Sequence, residues 1–214
     1  GIAYLNSRLR AGSGPWSHAQ VVPLHRLRDQ IFAVVGLGRI GTAAAVRAKV
    51  LGMDVVFYDP YKPDGYDRAM GVRRAEHLDL LLEQAFVLSL HCPLTDETRN
   101  LIGARELGLM KRDAWLLNMA RGGIVDEAAL ASAIESGQIA GAALDVLEIE
   151  PASINNPLLK MRDVLITPHT AGYSQRSRAW GPESAMHDAA TVIQGGRPRS
   201  IQNPKVLDRH ASAP

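Results

Sequence analysis

One short segment has glycines at a spacing that would let its backbone bind phosphate. The segment Gly36-Leu37-Gly38-Arg39-Ile40-Gly41 has the pattern GxGxxG and lies between a short apolar run and an alanine-rich stretch. Between a strand and a helix, this pattern lets the backbone approach a pyrophosphate, which the free N–H groups at the start of the helix can bind. The sequence therefore predicts a dinucleotide site at residues 36–41.

An acidic residue follows the glycine segment at the expected distance. Asp59 comes about twenty residues after Gly41, at the end of the next apolar run. A carboxylate there can accept hydrogen bonds from ribose hydroxyls and repels a 2′-phosphate, so NAD is favoured over NADP, although the nearby Lys62 weakens this preference. The structural alternative is a glycine turn that only connects a strand to a helix, with Asp59 capping a strand end.

Apolar runs alternate with helix-like segments along most of the chain. The predicted strands are 31–35, 54–58, 86–90, 114–119, 140–146 and 164–167, and the predicted helices are 1–12, 42–51, 77–84, 104–110, 126–136 and 174–194. Such alternation predicts an α/β fold with a doubly wound parallel sheet, the Rossmann fold. Ligands of such sheets bind beyond the carboxyl ends of the strands. The polar residues at those ends are Asp59, His91, Arg121, Asp145 and His169.

Composition excludes several other classes of function. The 214 residues carry a net charge of +2 with no concentrated basic stripe, so nothing predicts nucleic-acid binding. No apolar run approaches the roughly 20 residues of a membrane span. Cys92 is the single cysteine, which excludes an intrachain disulfide, fits a reducing compartment and predicts a cytoplasmic location. One cysteine and seven scattered histidines give no metal-ligand spacing, so we expect no metal site.

Several ordered segments resemble the NAD-dependent dehydrogenases that are specific for D-2-hydroxy acids. They are VVGLGRIG (34–41), FYDPY (57–61), LHCPLTDETRNLI (90–102), NMARGGIVDEAAL (118–130), GAALDVLEIEP (141–151) and ITPHTAGYS (166–174). The resemblance extends from about residue 27 to about residue 204. It implies NAD as the cofactor, a small 2-oxo or 2-hydroxy acid as the substrate, and a homodimer formed through the cofactor domain.

Arg121, Glu150 and His169 match the catalytic arginine, glutamate and histidine of that family. Reduction of a 2-oxo acid delivers a hydride to the carbonyl carbon and a proton to its oxygen, and histidine suits the proton donor because it titrates near neutral pH. The resemblance implies that Glu150 hydrogen-bonds the imidazole and favours its protonated form, while Arg121 binds the substrate carboxylate. Taken singly, the three could be a surface arginine, a solvated glutamate and a strand-end histidine.

The same resemblance assigns further residues to the cofactor. Asp145 is expected at the nicotinamide end, with the capping of its following loop as the alternative. Cys92 is expected to line the cofactor crevice or to pack as a small hydrophobic residue. The other expected cofactor contacts are Arg39, Ile40, His91, Pro93, Thr98, Met119, Ala120 and Gly172, together with Arg121 and His169.

The resemblance also predicts the organisation of the chain. Residues 1–23 are expected to be a hinge helix and linker from the substrate-binding domain, residues 24–172 the NAD-binding domain, and residues 173–214 a C-terminal helix and tail that return toward the substrate domain. Most of the substrate-binding domain is expected to be missing, with the chain truncated at its N-terminus. We therefore expect the chain to bind NAD but to turn over substrate poorly by itself.

A second function stays open at this point. The segments FYDPY and RAKVLGMDV and the Tyr-Ser pair after His169 resemble the branch of the family that contains the C-terminal binding protein, a corepressor. This likeness implies an NAD(H)-sensing scaffold that binds protein partners. Gly172 stands where that branch carries tryptophan, and Leu27–Phe32 lacks the usual glycine-containing approach to the first strand. The filled catalytic positions favour the enzyme.

Overall fold

The computed structural model describes residues 2–13, 16, 17, 19, 24–199 and 201. It comprises two compact units, residues 1–169 and residues 170–214. Within the described residues, no helix is long and apolar enough to cross a bilayer.

The first unit is built on one sheet of seven parallel strands. The strands are β1 (Ile31–Val35), β2 (Asp54–Tyr58), β3 (Arg73–Arg74), β4 (Val87–Leu90), β5 (Trp115–Asn118), β6 (Gly141–Leu144) and β7 (Val164–Ile166). They lie in the order β3-β2-β1-β4-β5-β6-β7. The chain thus winds outward from β1 in one direction and from β4 in the other, which confirms the predicted doubly wound α/β fold.

One helix precedes β1, and the other helices of this unit connect the strands. The helices are α1 (Ile2–Arg10), α2 (Arg39–Val50), α3 (Tyr66–Met70), α4 (Leu78–Leu82), α5 (Ala104–Leu109) and α6 (Glu127–Glu135), with a 3₁₀ segment at Pro157–Lys160. Asp126 caps α6 because its Oδ1 accepts the N–H of Ala129 at 2.9 Å. Most observed ends differ from the predicted ends by one or two residues, since terminal turns lack part of their hydrogen bonds.

Two apolar clusters cover the two faces of the sheet. Ala33 and Val35 of β1 belong to the larger cluster, whereas Val34 between them belongs to the smaller one. This division follows the alternation of side chains along a strand. Burial on both faces explains why the strands are nearly continuous apolar runs, which is the pattern expected of a parallel sheet.

The start of α2 differs from the prediction. The helix begins at Arg39, inside the glycine segment, and not at residue 42. Glycine is a poor helix former, so the sequence suggests a turn through Gly41. The helix extends through this position because the absence of a Cβ lets the first turn of α2 lie directly on the preceding loop.

Two short elements between β2 and β4 were not predicted. α3 has five residues and β3 only two, so neither provides an apolar periodicity that a sequence pattern can reveal. β3 is an edge strand held partly by the side chain of Arg74. Its guanidinium donates to the backbone oxygens of Asp59 at 3.2 Å and Lys62 at 2.9 Å.

The second unit contains one long helix, α7 (Gln175–Ile193), close to the predicted helix at 174–194. Ser174 caps it, because its Oγ accepts the N–H of Ser177 at 3.0 Å. None of the described residues of α7 is buried. The predicted irregular tail, residues 195–214, lies mainly outside the described residues.

Adjacent leucines of α4 provide a test of the core. Leu81 is fully buried, whereas Leu80 is 50% exposed. We expect Leu81→Ala to lower the free energy of unfolding by about 3 kcal/mol, because it leaves a cavity, and the matched Leu80→Ala to lower it by less than about 1 kcal/mol. Urea denaturation of both variants measures the difference. Equal effects would contradict the observed orientation of α4.

Candidate active site

The predicted site residues fall into two groups along the carboxyl edge of the sheet. The ends of β2, β1 and β4 are neighbours, and they carry the glycine turn, Asp59 and His91. The ends of β5, β6 and β7 are also neighbours, and they carry Arg121, Asp145 with Glu150, and His169. Strand order therefore brings together residues that are far apart in the sequence.

The three glycines of the turn have different surroundings. Gly36 has a φ of +88°, and a Cβ there would lie 2.8 Å from the backbone nitrogen of Cys92. A Cβ at Gly41 would lie 2.1 Å from the carbonyl oxygen of Gly36. Gly38, the N-cap of α2, has no atom of the described residues within 4 Å of its Cβ position. Gly36 and Gly41 allow close backbone packing, and Gly38 leaves free space in front of the helix.

The Asp59 carboxylate binds the glycine turn directly. Its Oδ2 accepts the backbone N–H of Leu37 at 2.8 Å, and its Oδ1 accepts the N–H of Tyr61 at 3.0 Å. A carboxylate offers about four lone-pair positions, so it can still accept hydrogen bonds from another group. Asp59 thus has a structural role, because it accepts two backbone N–H groups. Its remaining lone pairs can still accept hydrogen bonds from a ligand.

These features fit a dinucleotide. A Cβ at Gly38 would extend into the space in front of α2, and among the described side chains none caps the first turn of that helix. The N–H groups of Arg39 and Ile40, in that turn, have the orientation that binds a phosphate. The side chains of both residues are exposed.

His91 lies beneath the glycine turn. Its Cβ is 3.3 Å from the position a Cβ would take at Gly41, and its Nε2 is hydrogen-bonded to Ser89 Oγ at 2.9 Å. Its Nδ1 is buried with no hydrogen-bond partner among the described residues. Burial lowers the pKa of His91, so the imidazole is neutral at neutral pH.

The backbone of Cys92, the residue after His91, lies against the glycine turn, since its nitrogen is 2.8 Å from the Cβ position at Gly36. The Cys92 side chain is buried in the larger apolar cluster, and burial raises the pKa of its thiol. The hydroxyl of Thr98 donates to the carbonyl of Pro93 at 2.6 Å, which closes the following loop. The loop also meets the loop after β2, because the Tyr61 hydroxyl is hydrogen-bonded to Glu97.

Glu150 and His169 form a hydrogen-bonded pair. Glu150 Oε2 lies 2.8 Å from His169 Nδ1, and Oε1 accepts the backbone N–H of Leu147 at 3.0 Å. The hydrogen bond from His169, followed by that from Leu147, holds the pKa of Glu150 below its usual value. Because an ionised carboxylate only accepts hydrogen bonds, the proton of this pair lies on Nδ1.

Asp145 anchors the backbone beside this pair. Its side chain is buried at 3% exposure and accepts the hydroxyl of Thr167 at 2.5 Å. Its carbonyl oxygen accepts the N–H of His169 at 2.8 Å. His169 has a φ of +53°, an uncommon conformation for a residue with a side chain, and these bonds hold it there.

The loop that carries Arg121 depends on a residue that sequence reasoning missed. Asn118 is buried at the end of β5, where its Nδ2 donates to the Arg121 carbonyl at 2.9 Å and its Oδ1 accepts the Ala120 N–H at 3.1 Å. The sequence signal that could have indicated Asn118 is an amide side chain at the end of an apolar strand, because a buried amide must find hydrogen-bond partners. Met119 lies between Asn118 and Ala120 on this loop.

A close backbone contact joins the loops after β5 and β6. A Cβ at Gly122 would lie 1.9 Å from the carbonyl oxygen of Leu147, so only glycine fits. The Arg121 side chain is exposed, and its Nη1 donates to the Ala120 carbonyl at 2.6 Å. Strand order and the Gly122 contact thus place Arg121 on the loop next to that of Glu150.

Gly172 is the predicted cofactor contact that the first unit does not contain. It lies in the second unit, where its carbonyl oxygen accepts the Ser177 hydroxyl at 2.9 Å. In the part of the chain that the structure describes, no group of three or more His, Cys, Asp or Glu side chains could hold a metal ion.

Comparisons with known proteins show which family the chain resembles in sequence. The family described as D-isomer specific 2-hydroxyacid dehydrogenase, NAD binding domain, matches residues 1–171. A glyoxylate reductase of Korarchaeum cryptofilum (strain OPF8) is 38% identical over 197 residues, which are 91% of this chain and 59% of that protein. The chain therefore spans less than two thirds of that curated relative.

Two solved structures share the fold and carry different cofactors. The D-isomer specific 2-hydroxyacid dehydrogenase from Lactobacillus delbrueckii ssp. bulgaricus, in an NAD-complexed form, is 31% identical with a TM-score of 0.79, over 94% of this chain and 64% of that one. The D-isomer specific 2-hydroxyacid dehydrogenase from Xanthobacter autotrophicus Py2, in complex with NADPH and MES, is 33% identical with a TM-score of 0.76, over 95% of this chain and 81% of that one.

Serine substitutions at two glycines of the turn test the geometry described here. We expect Gly41→Ser to lower the free energy of unfolding by about 2 kcal/mol, because its Cβ would collide with the Gly36 carbonyl. Gly38→Ser should change it by less than about 0.5 kcal/mol, because its Cβ points into open space and serine is a good N-cap. Thermal and urea unfolding compare the two. A Gly38→Ser variant as unstable as Gly41→Ser would contradict this geometry.

Proposed function

The chain belongs to the D-isomer specific 2-hydroxyacid dehydrogenase family, and from this premise we propose that the complete protein interconverts a D-2-hydroxy acid and its 2-oxo acid with NAD as cofactor. The observation that carries the proposal is the Glu150–His169 pair, which lies at the carboxyl edge of the sheet beside the loop of Arg121. A carboxylate, an imidazole and a guanidinium are the groups that this reaction needs.

His169 acts as the general acid and base in this proposal. Its Nδ1 is engaged by Glu150, which leaves Nε2 to exchange a proton with the substrate oxygen. During reduction, Nε2–H donates its proton to the developing alkoxide, and during oxidation Nε2 removes the hydroxyl proton. The Glu150 carboxylate fixes the ring tautomer and stabilises the imidazolium.

Arg121 binds the carboxylate of the substrate. Its guanidinium uses one N–H in the bond to Ala120, so the remaining donors can form a bidentate pair with a carboxylate. The same positive charge favours negative charge on the reacting oxygen. When bound, the nicotinamide cofactor supplies or accepts the hydride.

The glycine turn and Asp59 hold the cofactor. The turn offers N–H groups and open space for the pyrophosphate, and Asp59 accepts the ribose hydroxyls with its remaining lone pairs. Asp59 would repel the 2′-phosphate of NADP. The Lys62 ammonium group packs over the Tyr66 ring, 4.7 Å from the centroid, and keeps its positive charge, which weakens this repulsion.

The family resemblance supports our proposal for the assembly, and the single cysteine supports our proposal for the location. We place the protein in the cytoplasm as a homodimer, with a small 2-oxo or 2-hydroxy acid as its substrate. The buried, reduced Cys92 is compatible with that compartment. The relatives are a reductase and dehydrogenases, which give no support to the corepressor-like alternative.

Asp59→Asn tests the cofactor preference. Removing the charge while retaining an acceptor for Leu37 should weaken NADH binding and strengthen NADPH binding, so that the ratio of their Kd values changes about tenfold or more. Fluorescence titration of the chain with each cofactor measures this ratio. The control is Asp64→Asn, a fully exposed aspartate of the same loop, which should leave the ratio unchanged. An unchanged ratio in Asp59→Asn would refute its role in selecting NAD.

His169→Asn tests the proton transfer. Asparagine tolerates the left-handed backbone of this position better than alanine, so the substitution isolates the loss of the imidazole. In the complete protein, we expect kcat/KM for glyoxylate, pyruvate or hydroxypyruvate to fall about 10²- to 10⁴-fold, because no group remains to exchange the proton. The exposed His77→Asn serves as the matched control. Wild-type rates in His169→Asn would refute the mechanism.

A further inference from the structure

Two glutamates outside the proposed catalytic set bind each other's backbone. The N–H of Glu127, the first residue of α6, donates to Glu148 Oε1 at 3.1 Å. The N–H of Glu148, in the loop after β6, donates in return to Glu127 Oε1. We name this reciprocal pair of hydrogen bonds the Glu127–Glu148 clasp.

The clasp brings two negative charges together, and its surroundings make this tolerable. Glu127 is in the first turn of α6, where the helix dipole favours carboxylates. Each carboxylate also accepts an N–H group that would otherwise need another partner. A second donor reaches Glu127 from the far side of the loop, since Asn156 Nδ2 lies 2.9 Å from Glu127 Oε2.

Glu127 therefore holds the loop of Glu150 at both sides. Glu148 precedes Glu150 and Asn156 follows it, and both donate to the same carboxylate. Asn156 is itself fixed, because its Oδ1 accepts the N–H of Leu158 at 3.0 Å. The chain between these two anchors carries the carboxylate that meets His169.

We propose that Glu127 is a positioning residue for the catalytic pair, and that it acts by holding the loop that presents Glu150 to His169. This inference rests on the proposed function for its catalytic meaning, whereas the positional effect concerns the chain alone. Glu127 itself needs no contact with substrate or cofactor in this role.

The pKa of the Glu150 carboxyl depends on the position of the loop that carries it. Its two hydrogen bonds, to His169 and to the Leu147 N–H, hold its pKa below the usual value. Loosening the loop should weaken these bonds and raise that pKa. Loss of the Glu127 charge alone has the opposite effect, because removing a nearby negative charge lowers the pKa of a carboxyl. A raised pKa of Glu150 would therefore indicate that the loop has loosened, and a lowered pKa would indicate only the loss of the Glu127 charge.

Carbon-13 NMR titration of the Glu150 carboxyl in the chain decides the proposal. We expect Glu127→Ala to raise the pKa of Glu150 and Glu127→Gln, which keeps an oxygen acceptor for the Glu148 N–H, to raise it less. The control is Glu135→Ala, at the exposed last residue of the same helix, which should not change it. Amide spectra of each variant establish that it is folded.

Three results would overturn the proposal. They are a lowered pKa of Glu150 in folded Glu127→Ala, an unchanged pKa in that variant, or an equal change in Glu135→Ala. In the complete protein, kcat/KM for a 2-oxo acid should fall by on the order of tenfold or more in Glu127→Ala and less in Glu127→Gln. A wild-type protein that reduces no 2-oxo acid would refute the proposed function, while the NMR titration would still decide the positional effect.

Discussion

Along the carboxyl edge of the sheet, backbone packs against backbone more closely than any side chain would allow. At Gly41, α2 starts directly on the carbonyl of Gly36, and at Gly122 the loop of Arg121 lies against the carbonyl of Leu147. The first contact sets the free space in front of α2. The second contact sets the separation between the arginine loop and the glutamate loop. Both halves of the candidate site therefore depend on the absence of a Cβ.

Carboxylates hold the loops along this edge, and each accepts backbone N–H groups. Asp59 accepts Leu37 and Tyr61, Asp126 accepts Ala129, and Glu127, Glu148 and Glu150 accept N–H groups of the loops around them. These charge-assisted bonds are shorter and stronger than bonds between neutral groups. Loops at the ends of strands carry unpaired N–H groups, so this arrangement satisfies the backbone and fixes the loop geometry together.

The sequence predicted the fold because long apolar runs alternate with helical segments, a signal that repeats along the whole first unit. It could not reveal β3 or α3, which are too short to show a period. At the site, sequence motifs and their positions along the chain predicted Asp59, Glu150 and His169. The sequence did not reveal Asn118, whose signal was only an amide at the end of an apolar strand. It did not reveal Glu127 either, because Glu127 binds a backbone group 21 residues away, which no local spacing encodes. The left-handed backbone of His169 was equally invisible, since histidine seldom adopts it.

The Glu150–His169 pair is exposed, and its geometry therefore depends on contacts of the surrounding backbone. The two side chains are 39% and 47% exposed, in contrast to the buried Asp145 beside them. Attraction between exposed groups is weak, because water screens their charges and the side chains lose entropy when held together. The pair cannot set its own geometry. That geometry must come from the backbone, through Gly122 against Leu147 on one side, the Asp145 carbonyl under His169 on the other, and Glu127 across the loop.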